Sequence, residues 1–446
     1  MTNTIAHLAQ KLWQPAKCLY QEGIAYQYCL LEITWLLLLK MADDLALQDE
    51  LLVHFDWYEF ICHTESERFE LYQTLLDALK SSDNVMLAGI YAQAKTTLTK
   101  PNQLTQLIDA VELLTDVEYD EWGEMYESML EYYARTDNHN IYVTPSRILI
   151  DMMVIVTQPQ IDEIIQDPLA GMGRFLVAAD AYMKITHEAS QDLPLSHLKG
   201  IEPHLLRQRI ALANCLLHDV TDETHLPVQW DDCLVREQSH QKADVIFSTL
   251  LFDNEKAHAS HDAALALLKH IYQAMKPGAR AAIIVPDRIL NALGPAQQVR
   301  RGLLDECVLH TILRLPQGIF YPHAAAAHIL FFYKSVDKET TQQIWFYDLR
   351  SHTPSFGYHQ RLMPHHLTTF ETAYGDDPFR KNTLQQEVTN SYYISRETLA
   401  KMHDCLELSE LNPNLDEDQV DNNVAELWEV LDDTLIELET LKQLLE

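Results

Sequence analysis

The sequence predicts an α/β protein, with helices on both faces of a parallel sheet, an all-α segment before it and a C-terminal helix after it. Three observations carry this. From Ile161 onward, β-branched and apolar runs alternate with helical periodicity, as in a doubly wound sheet. Before residue 140 the apolar spacing is almost wholly helical. Between them, Ile164-Ile165-Gln166-Asp167-Pro168-Leu169-Ala170-Gly171-Met172-Gly173-Arg174-Phe175-Leu176 runs from a strand through a tight loop into a helix. Unpaired amide groups and small residues at such a junction let a ligand approach the backbone.

Taken in order, Ile5, Leu8, Ala9, Leu12, Trp13, Ala16, Leu19 and Tyr20 lie on one helical face. The pattern returns over 26–44, 66–80 and 104–114, so residues 1–140 read as a helical domain whose aromatics are core. A linker at 138–147 leads into a helix over 148–156, with Thr144 as the expected cap and Pro145 in its first turn. Strands are expected at 161–167, 197–202, 226–231, 243–248, 279–285, 308–315, 327–334 and 344–349. Helices fit 174–187, 203–217, 260–276 and 294–304. Residues 350–412 read as irregular, with a short helix at 396–406. The tail repeats Val420, Val424, Leu427, Leu431, Thr434, Leu438, Leu441 and Leu445 at alternating four- and three-residue steps. That is a heptad seam on an acidic helix, suited to a helical partner or to packing on its own domain.

A Gly-x-Gly loop alone also fits an ordinary tight turn, where glycine supplies positive φ. The next unit strengthens the ligand reading. His197-Leu198-Lys199-Gly200-Ile201-Glu202 ends a second strand on a carboxylate, placed to accept two ribose hydroxyls. A dinucleotide site would want a third glycine where Leu176 stands. Its absence favours S-adenosylmethionine.

Composition bounds the partners. A chain of 446 residues, 47% hydrophobic and 22% charged, has the length for two or three domains and the balance of a soluble globular protein. Its longest apolar run, Ile33 to Leu39, is too short to span a bilayer, and no secretory signal is evident. Seven cysteines without a Cys-x-x-Cys pair suggest reduced cytoplasmic thiols, and no metal site is expected; His365-His366 reads as a polar loop pair. The net charge of −33 divides as −15 over 1–140, −7 over 141–250, +2 over 251–375 and −13 over 376–446. Phosphate binding requires clustered cations. Any DNA role therefore calls for a basic partner or a local groove within 251–375.

In this order the motifs resemble the modification (M) subunit of type I restriction–modification systems, a γ-class N6-adenine DNA methyltransferase. The resemblance covers nearly the whole chain. Lys11-Leu12-Trp13 and Glu32-Ile33-Thr34-Trp35 look like its helical N-terminus. Tyr142-Val143-Thr144-Pro145 resembles its aromatic–Thr–Pro cofactor element, and Asp167 to Leu176 its first methyltransferase motif. Gly200-Ile201-Glu202 is similar to its ribose-binding Gly-x-Glu, and Asp232-Cys233-Leu234 to the Asp-x-Leu beside the cofactor adenine. Trp345 to Arg350 and Ser355-Phe356-Gly357 resemble late elements before its C-terminal helix.

The resemblance implies a class I methyltransferase sheet over 141–350, an irregular extension over 351–412 and a coiled-coil-type helix over 413–446. It implies S-adenosylmethionine as cofactor, held by Tyr142, Thr144, Pro145, Asp167, Gly171, Gly173, Phe175, Glu202 and Asp232. It also implies a specificity-type subunit and a second modification-type subunit as partners, with DNA bound only within the complex. The chain departs from the family where Asn-Pro-Pro-Phe or Asn-Pro-Pro-Tyr should end the fourth strand: Thr249-Leu250-Leu251-Phe252 stands there. The Asn amide and first Pro carbonyl hold the amine of a flipped-out adenine in line with the methyl group. A threonine hydroxyl cannot reproduce that fork, and leucine lacks the fixed φ of proline. Arg174 also replaces a smaller residue, and the glycine before the Thr-Pro element is absent. Three readings follow: an M-type subunit with impaired or absent transfer, a working adenine methyltransferase, and an acidic protein occupying a partner's DNA-binding surface.

Overall fold

In the computed structural model the described residues are 2–42, 52, 55–114, 117, 121–136, 144–187, 197–221, 224–235, 242–250, 258–321, 326–350, 353, 355–357, 360–381 and 389–407. The heptad seam and the helix expected over 413–446 lie outside them, as do Tyr142, Leu251 and Phe252.

Among the described residues seven helices precede the linker: α1 (Thr2–Gln21), α2 (Tyr26–Lys40), α3 (Trp57–Cys62), α4 (Glu65–Leu79), α5 (Val85–Ile90), α6 (Pro101–Val111) and α7 (Trp122–Thr136). Most of the stripe read on the first helix is its buried face, with Ala9, Leu12, Ala16 and Leu19 fully covered; Tyr20, at the helix end, is exposed instead. α2 is apolar all round and runs through the middle of this layer, buried from Cys29 to Leu39. Its Glu32 is buried too. The carboxylate accepts hydrogen bonds from Tyr72 Oη (2.7 Å), Thr96 Oγ1 (2.8 Å) and the Thr97 amide (2.6 Å), so the polar group is satisfied inside the core.

After α8 (Arg147–Thr157) come β1 (Ile165–Asp167), α9 (Arg174–Thr186), β2 (Leu198–Glu202), α10 (Leu205–Leu217), β3 (Val228–Trp230) and β4 (Ala243–Thr249). The second half holds α11 (His258–Ala274), β5 (Met275–Pro286), α12 (Asp287–Asn291), α13 (Pro295–Glu306), β6 (Val308–Arg314), β7 (Ala327–Tyr333) and β8 (Gln343–Asp348). Last are α14 (Thr368–Tyr374), β9 (Ser391–Ser395) and α15 (Arg396–Lys401). The cap of α8 differs from expectation. Ser146, not Thr144, adopts extended φ/ψ, and its hydroxyl accepts the Leu149 amide. Pro145 therefore sits outside the helix, with its carbonyl free to bond elsewhere.

Among the described residues the strands form one sheet in the order β3-β2-β1-β4-β5-β7-β6-β8-β9. The sheet is not wholly parallel, which corrects the sequence expectation. β7 runs antiparallel between β5 and β6, and β9 runs antiparallel to β8. Only residues 315–326 join β6 to β7, with no helix among those described, whereas a parallel crossover needs a longer, usually helical connection. β9 and α14 also correct the irregular reading of 350–412. Tyr392, Tyr393 and Ile394 are strand formers, but a five-residue edge strand in polar surroundings gives little periodic signal.

Residues alternate across the sheet. Val245, Phe247, Ile284, Ile329 and Phe331 join a core continuous with the N-terminal helices, while Ile246, Ile283, Ile312, Leu330 and Phe346 join a second core on the opposite face. The helical layer packs on the sheet through α10, which α2, α5 and α7 contact. No helix among the described residues is long and apolar enough to cross a membrane.

Candidate functional site

The carboxyl ends of β1, β2 and β4 converge on the glycine turn. Gly171 (φ +57°) and Gly173 (φ +75°) both take left-handed backbone, which selects glycine. Beside Gly171 is open space, whereas a Cβ on Gly173 would sit 3.3 Å from Ala211 of α10. The first glycine thus leaves a ligand room, and the second lets two helices approach.

Asp167 ends β1 and is 1% exposed. Its Oδ1 accepts the Leu169 amide (3.1 Å) and the Ser248 hydroxyl (3.2 Å). Burial pushes this carboxyl up to about 7 against those two hydrogen bonds, and the nearby Glu202 carboxylate adds to the rise. Glu202 is fully buried behind the turn. Its Oε2 accepts the Gly171 amide (2.9 Å), and its Oε1 accepts the His204 amide (2.9 Å) and pairs with Arg207 (2.9 Å). Burial raises its pKa, with Arg207 opposing most. In this arrangement both oxygens hold the turn and the following helix together.

A cavity of about 60 Å³ opens here, lined by Thr144, Pro145, Asp167, Gly171, Phe175, Thr249 and Leu250 among the residues singled out in the sequence. Gly173, Glu202 and Asp232 stand outside its lining. Asp232 lies in the loop after β3, where its Oδ1 accepts the Leu234 amide (2.9 Å). Phe175 stacks on Phe247 with ring centroids 5.5 Å apart, so much of its ring is core.

Arg174 and Arg207 also line the cavity, and sequence reasoning assigned neither a role there. The signal for Arg207 was a cation in the first turn after the Glu202 strand. Arg174 touches a second cavity of about 220 Å³, bounded by Arg135, Phe320, Tyr321, Phe356 and Arg361.

At the end of β4 the local chemistry is specific. Thr249 Oγ1 is buried at the cavity wall, without a hydrogen-bond partner among the described residues. The Leu250 amide donates to the Ile284 carbonyl (2.9 Å), carrying the β4–β5 ladder one residue past the strand. Proline at 250 could not make that bond. An open glycine, a carboxyl that titrates near neutrality and an orphaned hydroxyl suit a ligand with cationic and polar groups. S-adenosylmethionine, with its sulfonium, amine and ribose, fits that description.

Residues 117–420 match the family model described as N-6 DNA Methylase. The chain is 32% identical over 407 residues to the "Type I restriction enzyme EcoKI methylase subunit" of Escherichia coli (strain K12), covering 83% of this chain and 76% of that one. The same figures hold for the "Type I restriction enzyme StySPI methylase subunit" of Salmonella potsdam. Among solved structures, the EcoKI M protein is similar at 28% identity and a TM-score of 0.52, over 90% of this chain and 88% of that one. A chain from a structure of a type I R-M system matches over 99% and 98% with a TM-score of 0.71; at 22% identity it speaks to the fold alone.

Proposed function

The chain belongs to the N-6 DNA methylase family as a type I restriction–modification methylase subunit, and on that premise we propose that it binds S-adenosylmethionine and transfers methyl groups to adenine poorly or not at all. Its proposed partners are a specificity subunit and a second modification-type subunit, with DNA engaged only in the complex. The division at 140/141, 350/351 and 412/413 is the organisation we propose for it.

When bound, the cofactor would supply an electrophilic methyl on sulfur. The chain's residues must do the rest. Gly171 leaves room for the ligand, and Asp167 offers a carboxylate to its cationic groups. The observation that carries impaired transfer is the Leu250 amide bonded to Ile284. It holds residue 250 in ladder geometry where the family's motif has a proline-fixed turn. The amide of residue 250, which a proline would lack, is thus engaged by β5 in the residue whose carbonyl should help orient the adenine amine. Thr249 offers a hydroxyl in place of an amide, so it cannot accept and donate in one fork. Since this chemistry is mostly positioning, losing one oriented interaction costs roughly a hundredfold or more in rate.

One observation favours a working enzyme: Thr249 Oγ1 has no hydrogen-bond partner among the described residues and could meet a substrate amine. Labelled methyl transfer decides between the readings, each protein being assayed with its cognate specificity subunit and DNA. The comparison is wild type against Thr249→Asn and against Thr249→Asn/Leu250→Pro/Leu251→Pro. The triple variant should be faster by about a hundredfold or more. Equal turnover by wild type and the triple variant would return the protein to the active methyltransferases.

A further inference from the structure

Arg174 occupies the first position of α9, directly after Gly173. A cation there faces the positive end of the helix dipole, so something else must favour it. The structure supplies the reason. α7 presents Glu127 and Glu131, four residues apart on one face, to the guanidinium, whose side chain is only 4% exposed. Nε and Nη2 reach Glu127 Oε2 (2.7 and 2.6 Å), Nη2 also reaches Glu131 Oε1 (3.2 Å), and Nη1 donates to the Pro145 carbonyl (2.6 Å).

The two carboxylates extend the network. Glu127 Oε1 accepts Asn214 Nδ2 (3.0 Å), which also donates to the Met172 carbonyl inside the glycine turn (3.1 Å). Glu131 Oε1 accepts the Arg147 amide at the start of α8 (3.0 Å). Thr144, Pro145, Met172 and Arg174 all line the small cavity. The walls on both sides of the candidate cofactor space are therefore tied to one helix of the N-terminal layer. A small residue at 174 could not make this connection.

We propose that Arg174 is a positioning residue: seated on Glu127 and Glu131, it fixes the spacing between the Thr144–Pro145 segment and the glycine turn, and so makes the helical layer part of the cofactor cradle. The inference rests on the S-adenosylmethionine reading of the site. Cofactor affinity then depends on carboxylates 47 and 43 residues upstream of Arg174. The rigid planar fork of arginine spreads its donors over three separate acceptors, whereas the three donors of lysine radiate from one compact nitrogen without that fixed geometry.

The test is calorimetric titration of the full chain with S-adenosylmethionine and S-adenosylhomocysteine, below the melting range of each variant. Arg174→Ala and Glu127→Gln should each weaken binding tenfold or more. Arg174→Lys should recover part of the loss, and the Arg174→Ala/Glu127→Gln double variant should lose less than the two singles multiplied together. Lys184→Ala, which removes the ion pair with Asp180 in the last turn of the same helix, should leave affinity unchanged. A merely structural role predicts lower melting temperatures with wild-type affinity in the folded protein; that result overturns the proposal. If Arg174→Ala does not fold, Arg174→Lys and the half-exposed Glu131→Gln carry the decision, and wild-type affinity in both overturns it. Absence of saturable binding by wild type overturns the cofactor reading itself and the inference with it.

Discussion

Asp167 shows how one residue's environment sets a pH response. Its carboxyl titrates near 7 because burial outweighs its two hydrogen bonds. In the ligand-free chain the folded state therefore holds the proton more tightly than the unfolded state. This group lowers stability progressively as pH rises from about 4 to about 7. A ligand bearing a sulfonium and an amine favours the ionised form. Affinity for S-adenosylmethionine should thus rise between pH 6 and pH 8, with proton release near neutrality, and Asp167→Asn should flatten both. Calorimetry in two buffers of different ionisation enthalpy measures this. A pH-independent wild-type affinity would remove Asp167 from the ligand's surroundings.

Among elements, the carboxyl ends of β5, β6 and β8 and the start of β7 share a buried charge cluster that local pattern could not reveal. His328 of β7 is fully buried, with Nδ1 3.0 Å from Asp287 and Nε2 3.0 Å from Glu407. Arg314 lies 3.4 Å from both Asp348 and Glu407, and Arg350 lies 3.5 Å from Asp287. Among the described residues three carboxylates thus face two guanidiniums and one imidazole, an arrangement that favours a protonated His328. The guanidiniums also disfavour a metal cation between these ligands. Burial alone would lower the imidazole's pKa, but attraction to Glu407 and Asp287 raises it above 6.5. Burial pushes the Glu407 carboxyl up most, but His328, Arg314 and Arg350 together outweigh it and hold the group at about 2. The His328 contribution is complete below about 6.5 and is lost as pH rises through the raised value. That of Glu407 is complete above about 4.5 and is lost as pH falls through about 2. His328→Gln should therefore cost about 3–5 kcal/mol at pH 6 and flatten the alkaline fall in stability. Melting profiles from pH 6 to pH 9 check this; parallel profiles for the two proteins would mean that His328 carries no charge.

For the whole molecule, the charge distribution frames assembly. Segments 1–140 and 376–446 carry −15 and −13, so partners with basic faces gain from long-range steering. On the organisation we propose, the heptad pattern from Val420 to Leu445 would give a partner helix an apolar stripe. Deleting residues 419–446 should abolish co-purification with the specificity subunit while leaving the melting transition of the remaining chain in place. Unchanged complex formation after this truncation eliminates the seam as the docking element.

What the sequence determined by itself was local. The strand–turn–helix at Asp167 to Leu176, the Glu202 strand and the positions of β1 to β8 follow from periodicity, glycine and apolar runs, each readable in a short window. The mismatch at Thr249-Leu250 was visible as well, because it is a matter of residue type. Tertiary structure alone decided the direction of β7, the cap at Ser146 and the engagement of Glu202 by Gly171 and Arg207. It also decided the seat of Arg174 on Glu127, 47 residues away, and of His328 on Glu407. The physical reason is range. Burial periodicity is imposed on a residue by its near neighbours along one element. Strand direction depends on how connections close, and a buried charge depends on which distant side chain folding brings within about 3 Å.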